Sequence, residues 1–177
     1  MKIESTSFTR VEVEQFLDEM LDHDRRDLAG RLEHASARLA ALGPRVRAGA
    51  GDTEWSQHEL LAHIAVLSKF YGVLVHKISS GQMSELDLLQ NVNLRDVLGE
   101  RLAQIEPAEL LRMALADQAR TLELLRNADA SSMRRTARQE NGELISAEEV
   151  ARLPLVNHLE MHLDQLERAL SGPEASR

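Results

Sequence analysis

Three times along this chain a hydroxyl residue is followed three positions later by glutamate, and apolar residues at helical spacing come next. The sets are Thr9-Arg10-Val11-Glu12, Ser56-Gln57-His58-Glu59 and Ser146-Ala147-Glu148-Glu149. In such a capping box the hydroxyl accepts from the glutamate's backbone N–H, and the carboxylate reaches back to the first residue's N–H. Each box therefore marks a helix start. With 9 glycines, 4 prolines and 3% aromatics in 177 residues, the core must come from Leu, Ala, Val and Ile on helix faces. An all-β fold is all but excluded.

The first helix is predicted from Thr9, with a stripe at Val13, Leu17, Met20/Leu21, Leu28, Leu32, Ala35, Leu39 and Leu42. Gly43-Pro44 ends it, and residues 45–54 read as a loop. The second helix opens at Ser56, buries Leu60, Ile64, Leu67, Tyr71, Leu74 and Ile78, and stops at Ser79-Ser80-Gly81. A crossover with weaker helical pattern fills 82–106, through Leu86, Leu89, Leu94, Val97/Leu98, Leu102 and Ile105. Pro107 suits a first helical position, and Leu111, Leu115, Leu122 and Leu125 follow it. Residues 127–145 are polar and carry the turn dipeptide Asn141-Gly142. The last helix runs from Ser146 to Leu170 with Pro154 inside it, where a bend or irregularity is expected. The expected fold is all-α: one 1–177 domain, a four-helix bundle with a long crossover between the second and third helices and a frayed tail over 171–177.

The net charge of -8 repels a phosphate backbone, and no basic patch exceeds Arg134-Arg135 with Arg138, so nucleic acid is not an expected partner. The chain has no cysteine, which excludes disulfides, thiolate ligands and a cysteine nucleophile. Met1 to Phe16 lacks the apolar stretch of a secretory signal, and no apolar run approaches a membrane span. These readings predict a cytoplasmic protein without a membrane partner.

Seven histidines remain to be explained. His158 and His162 are four apart, so on a helix their Cβ atoms stand about 5–6 Å from each other, close enough to share an ion. His63 lies in line with Leu60, Leu67 and Phe70 and faces the core edge. If the second and last helices meet, all three rings can converge. The competing reading is also physical: histidine pairs at this spacing arise by chance, and a core-edge histidine is commonly a hydrogen-bonded structural residue. Spacing alone leaves both open. His23, His34, His58 and His76 are read as structural and mostly solvated.

The segment Trp55-Ser56-x-x-Glu59-x-x-x-His63-Ile64-Ala65 resembles the opening of the second helix in the DinB-like superfamily, and His158-x-x-x-His162-x-x-Gln165 resembles its last-helix motif. Pro107-Ala108-Glu109-Leu110 is similar to the family's third-helix start. The resemblance implies a four-helix bundle with a long crossover and a divalent metal, Zn, Ni or Fe, held by His63, His158 and His162. It also implies an S-transferase or isomerase acting on a small-molecule thiol (mycothiol, bacillithiol or glutathione) and an electrophile, with a homodimer as a frequent assembly. The alternatives are a non-catalytic bundle that binds a metal or small ligand, and a metal-dependent hydrolase. The chain departs from the pattern at His58 and at Pro154, which lies one turn before His158.

No catalytic residue is assigned. Four residues are pocket candidates. Asp24 interrupts the first stripe, Gln118 sits between Leu115 and Leu122, and Gln165 lies on the His158/His162 side, where it could orient a ligand. Trp55 is the fourth, with packing beneath the loop as its preferred role. For Asp24 and Gln118 the preferred reading is a rim residue paired with a nearby arginine.

Overall fold

All three capping boxes form. Thr9 Oγ1 accepts from the Glu12 N–H and Glu12 takes the Thr9 N–H at 2.7 Å; Ser56 with Glu59 and Ser146 with Glu149 repeat the pair. The structure is a computed structural model that describes residues 8–49, 55–87 and 101–171. Helix α1 is Arg10–Leu42, followed by a short turn at Gly43–Arg45, and α2 is Gln57–Ser79. Strand β1, Glu85–Leu86, follows α2, and α3 is Pro107–Asn127. A single turn, α4 (Ala130–Met133), leads to the strands β2 (Thr136–Gln139) and β3 (Leu144–Ser146). The chain closes with α5 (Ala147–Val150), a π-helical stretch (Ala151–Asn157) and α6 (His158–Leu170). Predicted features at Leu89, Leu94, Val97 and Leu98, in residues 50–54 and in the tail after 171 lie outside the described residues.

The molecule is mostly helical, but the all-α expectation needs correcting. β1 pairs parallel with β2 (Glu85 opposite Arg138, Leu86 opposite Gln139), and β2 pairs antiparallel with β3. Asn141-Gly142 makes the turn, with Gly142 at φ +85, a conformation that favours glycine. Strands of two to four residues are too short to leave a period-2 signature. The sheet ties the start of the crossover to the entry of the last helix, and Arg135 Nη1 donates to Ser79 O at 2.6 Å to reinforce the tie.

The core is aliphatic. Leu28, Leu32 and Leu39 of α1, Leu61, Ile64, Leu67 and Ile78 of α2, Leu110 and Leu125 of α3, and Leu155, Leu159 and Leu163 of the last rod are fully buried. Each such side chain contributes about 1.5–3 kcal/mol relative to exposure. Helix α2 is long and apolar enough to cross a membrane by length and composition, and here it is the buried core helix.

Two predicted stripes sit differently. Val13, Leu17 and Met20 are exposed, and burial on α1 begins only at Arg25. The Arg25 guanidinium reaches across to the end of α3, donating to Leu125 O at 2.5 Å and Arg126 O at 2.9 Å. It thereby satisfies carbonyls that a helix C-terminus leaves open. On α3 the buried line is Leu110, Ala114, Gln118, Thr121 and Leu125, while Leu111, Leu115 and Leu122 flank it. Small and polar residues on the central line let α3 approach α2 closely, at Gly72 against Thr121.

Gln118 is therefore neither a pocket residue nor an arginine-paired rim residue. It is 1% exposed and links three helices: Ser36 Oγ donates to its Oε1 at 2.8 Å, and its Nε2 donates to Ser68 Oγ at 2.9 Å. His58 is likewise buried, not solvated, with Nε2 2.7 Å from Ile105 O.

Candidate metal centre

His63 lies less than two turns into α2, and the capping box fixes where that helix begins. Gln57 Nε2 donates to Ala169 O at 3.1 Å, which brings the start of α2 to the end of α6. The two elements thus run antiparallel, and His63 comes to face His162. The ring centroids of His63 lie 4.5 Å from His162 and 5.6 Å from His158, and those of His158 and His162 are 4.5 Å apart. One ligand nitrogen from each of the three falls within 4.8 Å of the other two. His162 is buried; His63 and His158 are half-buried.

The phase of His158 is set by the π stretch. Pro154 has no N–H, and in an α-helix its ring would meet the carbonyl four residues earlier. The widened turns accommodate it, and regular α-helix resumes at His158. Val150 and Ala151 are buried, and so are Leu155 and Val156, each pair five positions from its counterpart. On the outer side Arg31 of α1 donates to Asn157 Oδ1 at 2.6 Å and to Glu160 Oε1 at 3.0 Å, gripping the junction on both sides of His158.

Gln165 completes the arrangement. Its Oε1 lies 2.7 Å from His162 Nδ1. An amide oxygen only accepts, so His162 carries its hydrogen on Nδ1 and turns the Nε2 lone pair toward the other two rings. Trp55 packs against the imidazoles. It is half-exposed, with its ring 4.6 Å from His63 and stacked 6.0 Å from His162. Beside it opens a cleft of about 740 Å³ lined by Trp55, Leu60, His162, Gln165, Arg168 and Ala169.

Asp24 and Gln118 are not part of this lining. Asp24 behaves as the rim residue expected, paired with Arg152 Nη2 at 3.0 Å. Arg168 was not singled out from sequence. Its position three residues after Gln165, a neighbouring place on the helix surface, was the available signal.

The donor set suits a divalent cation of intermediate softness: three imidazoles, one held by an outer hydrogen bond in the tautomer a ligand needs. Three protein ligands are the number found in open catalytic sites.

No protein-family model matches this sequence, and no curated protein sequence matches it. Solved structures do. Mycothiol-dependent maleylpyruvate isomerase superposes at TM-score 0.65 with 16% identity, over 82% of this chain and 62% of that one. A variant of that enzyme with one histidine changed to alanine gives TM-score 0.66, 14% identity and the same coverage. The chain has the DinB-like fold. At this identity the likeness concerns the fold alone, and the DinB-like chain described here spans 62% of the length of those structures. It reaches its three-histidine cluster through its own α2 and α6.

Proposed function

We propose that this protein is a four-helix-bundle metalloenzyme in which His63, His158 and His162 hold a divalent ion and a low-molecular-weight thiol is the cosubstrate, in an S-transferase type of reaction. The observation that carries the reading is the convergence of the three imidazoles beside an open cleft, with Gln165 fixing the His162 tautomer. The absence of cysteine supports it further, since any thiol must come from outside the chain. A divalent ion in such a site supplies the charge that lowers the pKa of a bound thiol or water.

The chain's own residues do the rest. His162 and Gln165 present a lone pair without a rotameric search. Trp55 covers the rings from one side and limits the approach of water. Leu60 and Ala169 give the cleft an apolar wall for the electrophile. The cytoplasm, where small thiols stay reduced, is the compartment that this reading requires.

The test joins metal content to turnover. Purified protein should carry close to one equivalent of a divalent metal and should conjugate or isomerise members of a panel of electrophiles with mycothiol, bacillithiol or glutathione. A chelator should abolish the activity and metal should restore it. Metal-independent turnover overturns the reading. Ligand-dependent stabilisation with no product across the panel favours a non-catalytic binding bundle.

A further inference from the structure

The cleft beside the histidines holds an arginine whose partner is not supplied by the described residues. Every carboxylate of α6 is already ion-paired with an arginine of α1. Glu160 pairs with Arg31, while Asp164 and Glu167 both pair with Arg38 at 2.8 Å. Glu59, one turn before His63 on α2, accepts from the Ser56 N–H at 2.8 Å. The lining of the cleft contains no acidic group, and the carboxylates nearest Arg168, Asp164 and Glu167, are held by Arg38. Arg31, Arg38 and Arg152 each make ion pairs, whereas Arg168 makes none among the described residues. Arg168 lines the cleft wall.

Arg168 lies six positions after His162, a rise of about 9 Å along the axis and a rotation of about 120° around it. Helical side chains lean toward the N-terminus, which brings the Arg168 head back toward the histidines. With a divalent ion on neutral imidazoles, the cleft would carry positive charge at both ends and negative charge at neither. A ligand of matching charge is an anion, and a planar guanidinium pairs best with a carboxylate, in two parallel hydrogen bonds.

We infer that Arg168 is a specificity residue that selects ligands bearing a carboxylate a few bonds from the atom that engages the histidine site. The inference rests on the metal reading above and narrows its substrate class to carboxylated thiols or carboxylated electrophiles.

Calorimetric titration of zinc-loaded protein tests it without turnover. The probes are 3-mercaptopropionate and its neutral isostere 3-mercaptopropanamide. Wild type should bind the acid about fivefold tighter than the amide, the size of effect a partly exposed ion pair gives. Arg168→Gln should bind both equally, Arg168→Lys should keep part of the preference, and all variants should bind zinc as wild type does. Arg120→Gln, which removes an arginine paired with Asp117 on α3, should keep the full preference. Zinc binding with no preference in wild type, or with a preference that survives Arg168→Gln, overturns the inference alone. Failure of wild type to bind zinc overturns the metal reading and this inference with it.

Discussion

The Nε2 atoms of His158 and His162 lie 2.8 Å apart. His162 already has its hydrogen on Nδ1, pointed at Gln165. A cation shared by these two nitrogens would need both Nε2 atoms free of hydrogen, the state that a hydrogen on Nδ1 gives. Ion binding would then engage both rings in one event.

Trp55 reports that event. It is the sole tryptophan, and its ring contacts both His63 and His162. Adding Ni or Cu to chelator-treated protein should quench its fluorescence with a one-to-one endpoint. In His162→Ala the quenching should disappear while far-UV circular dichroism stays helical, because the Leu-rich core does not depend on the ion. Quenching that persists in His162→Ala places the ion outside the cluster.

The role proposed for Gln165 is to hold the tautomer of His162. Gln165→Leu should weaken metal affinity by about 10- to 100-fold, measured by competition with a chromogenic chelator. Gln165→Glu keeps an acceptor facing Nδ1 and should restore most of it. Equal affinity in the leucine variant and wild type would show that the hydrogen bond does not prepare the site.

Arg31 touches no histidine but grips Asn157 and Glu160 on either side of His158. Its pairing is partly exposed, so Arg31→Leu should cost about 1 kcal/mol or less of stability. Metal affinity should fall severalfold, as the junction loses its outer restraint. A drop in melting temperature without any change in metal affinity would make Arg31 an ordinary ion-pair partner.

Gly72 faces Thr121 where α2 and α3 come together. A Cβ at 72 would run into Thr121 Oγ1, while the Thr121 Cβ would stay at 3.7 Å. Gly72→Ala should therefore destabilise by about 1–3 kcal/mol, the usual cost of overpacking. Adding Thr121→Ala should recover most of the loss in chemical denaturation, and neither change should move metal affinity. Additive losses would mean that the conflict lies elsewhere.

Much of this was legible because local chemistry fixes helix ends. Thr9, Ser56 and Ser146 cap where their boxes say they do, Pro107 opens α3, and Asn141-Gly142 turns a hairpin. The convergence of His63, His158 and His162 was readable from spacing together with a familiar motif pair. What escaped was set by packing between elements. A leucine count on α3 chose the flank, because the buried centre is Ala114, Gln118 and Thr121. The polar link from Ser36 through Gln118 to Ser68 spans three helices and leaves no local pattern. Val13 and Leu17 have helical spacing whether or not a partner covers them. Trp55 reads as a packing residue by type, and only the tertiary arrangement sets it over the imidazoles.

The π stretch around Pro154 makes the last rod sensitive to residue count as well as residue kind. Between the buried pairs Val150/Ala151 and Leu155/Val156 the chain spends one residue more than an α-helical repeat would. Deleting a single residue there would leave a plausible helix that still carries His158 and His162, yet it would turn both by about 100° relative to the segment before Pro154. The motif would survive in the sequence while its two imidazoles faced away from His63. Searches for such sites by histidine spacing should therefore count the residues from the serine cap to the first histidine as part of the motif.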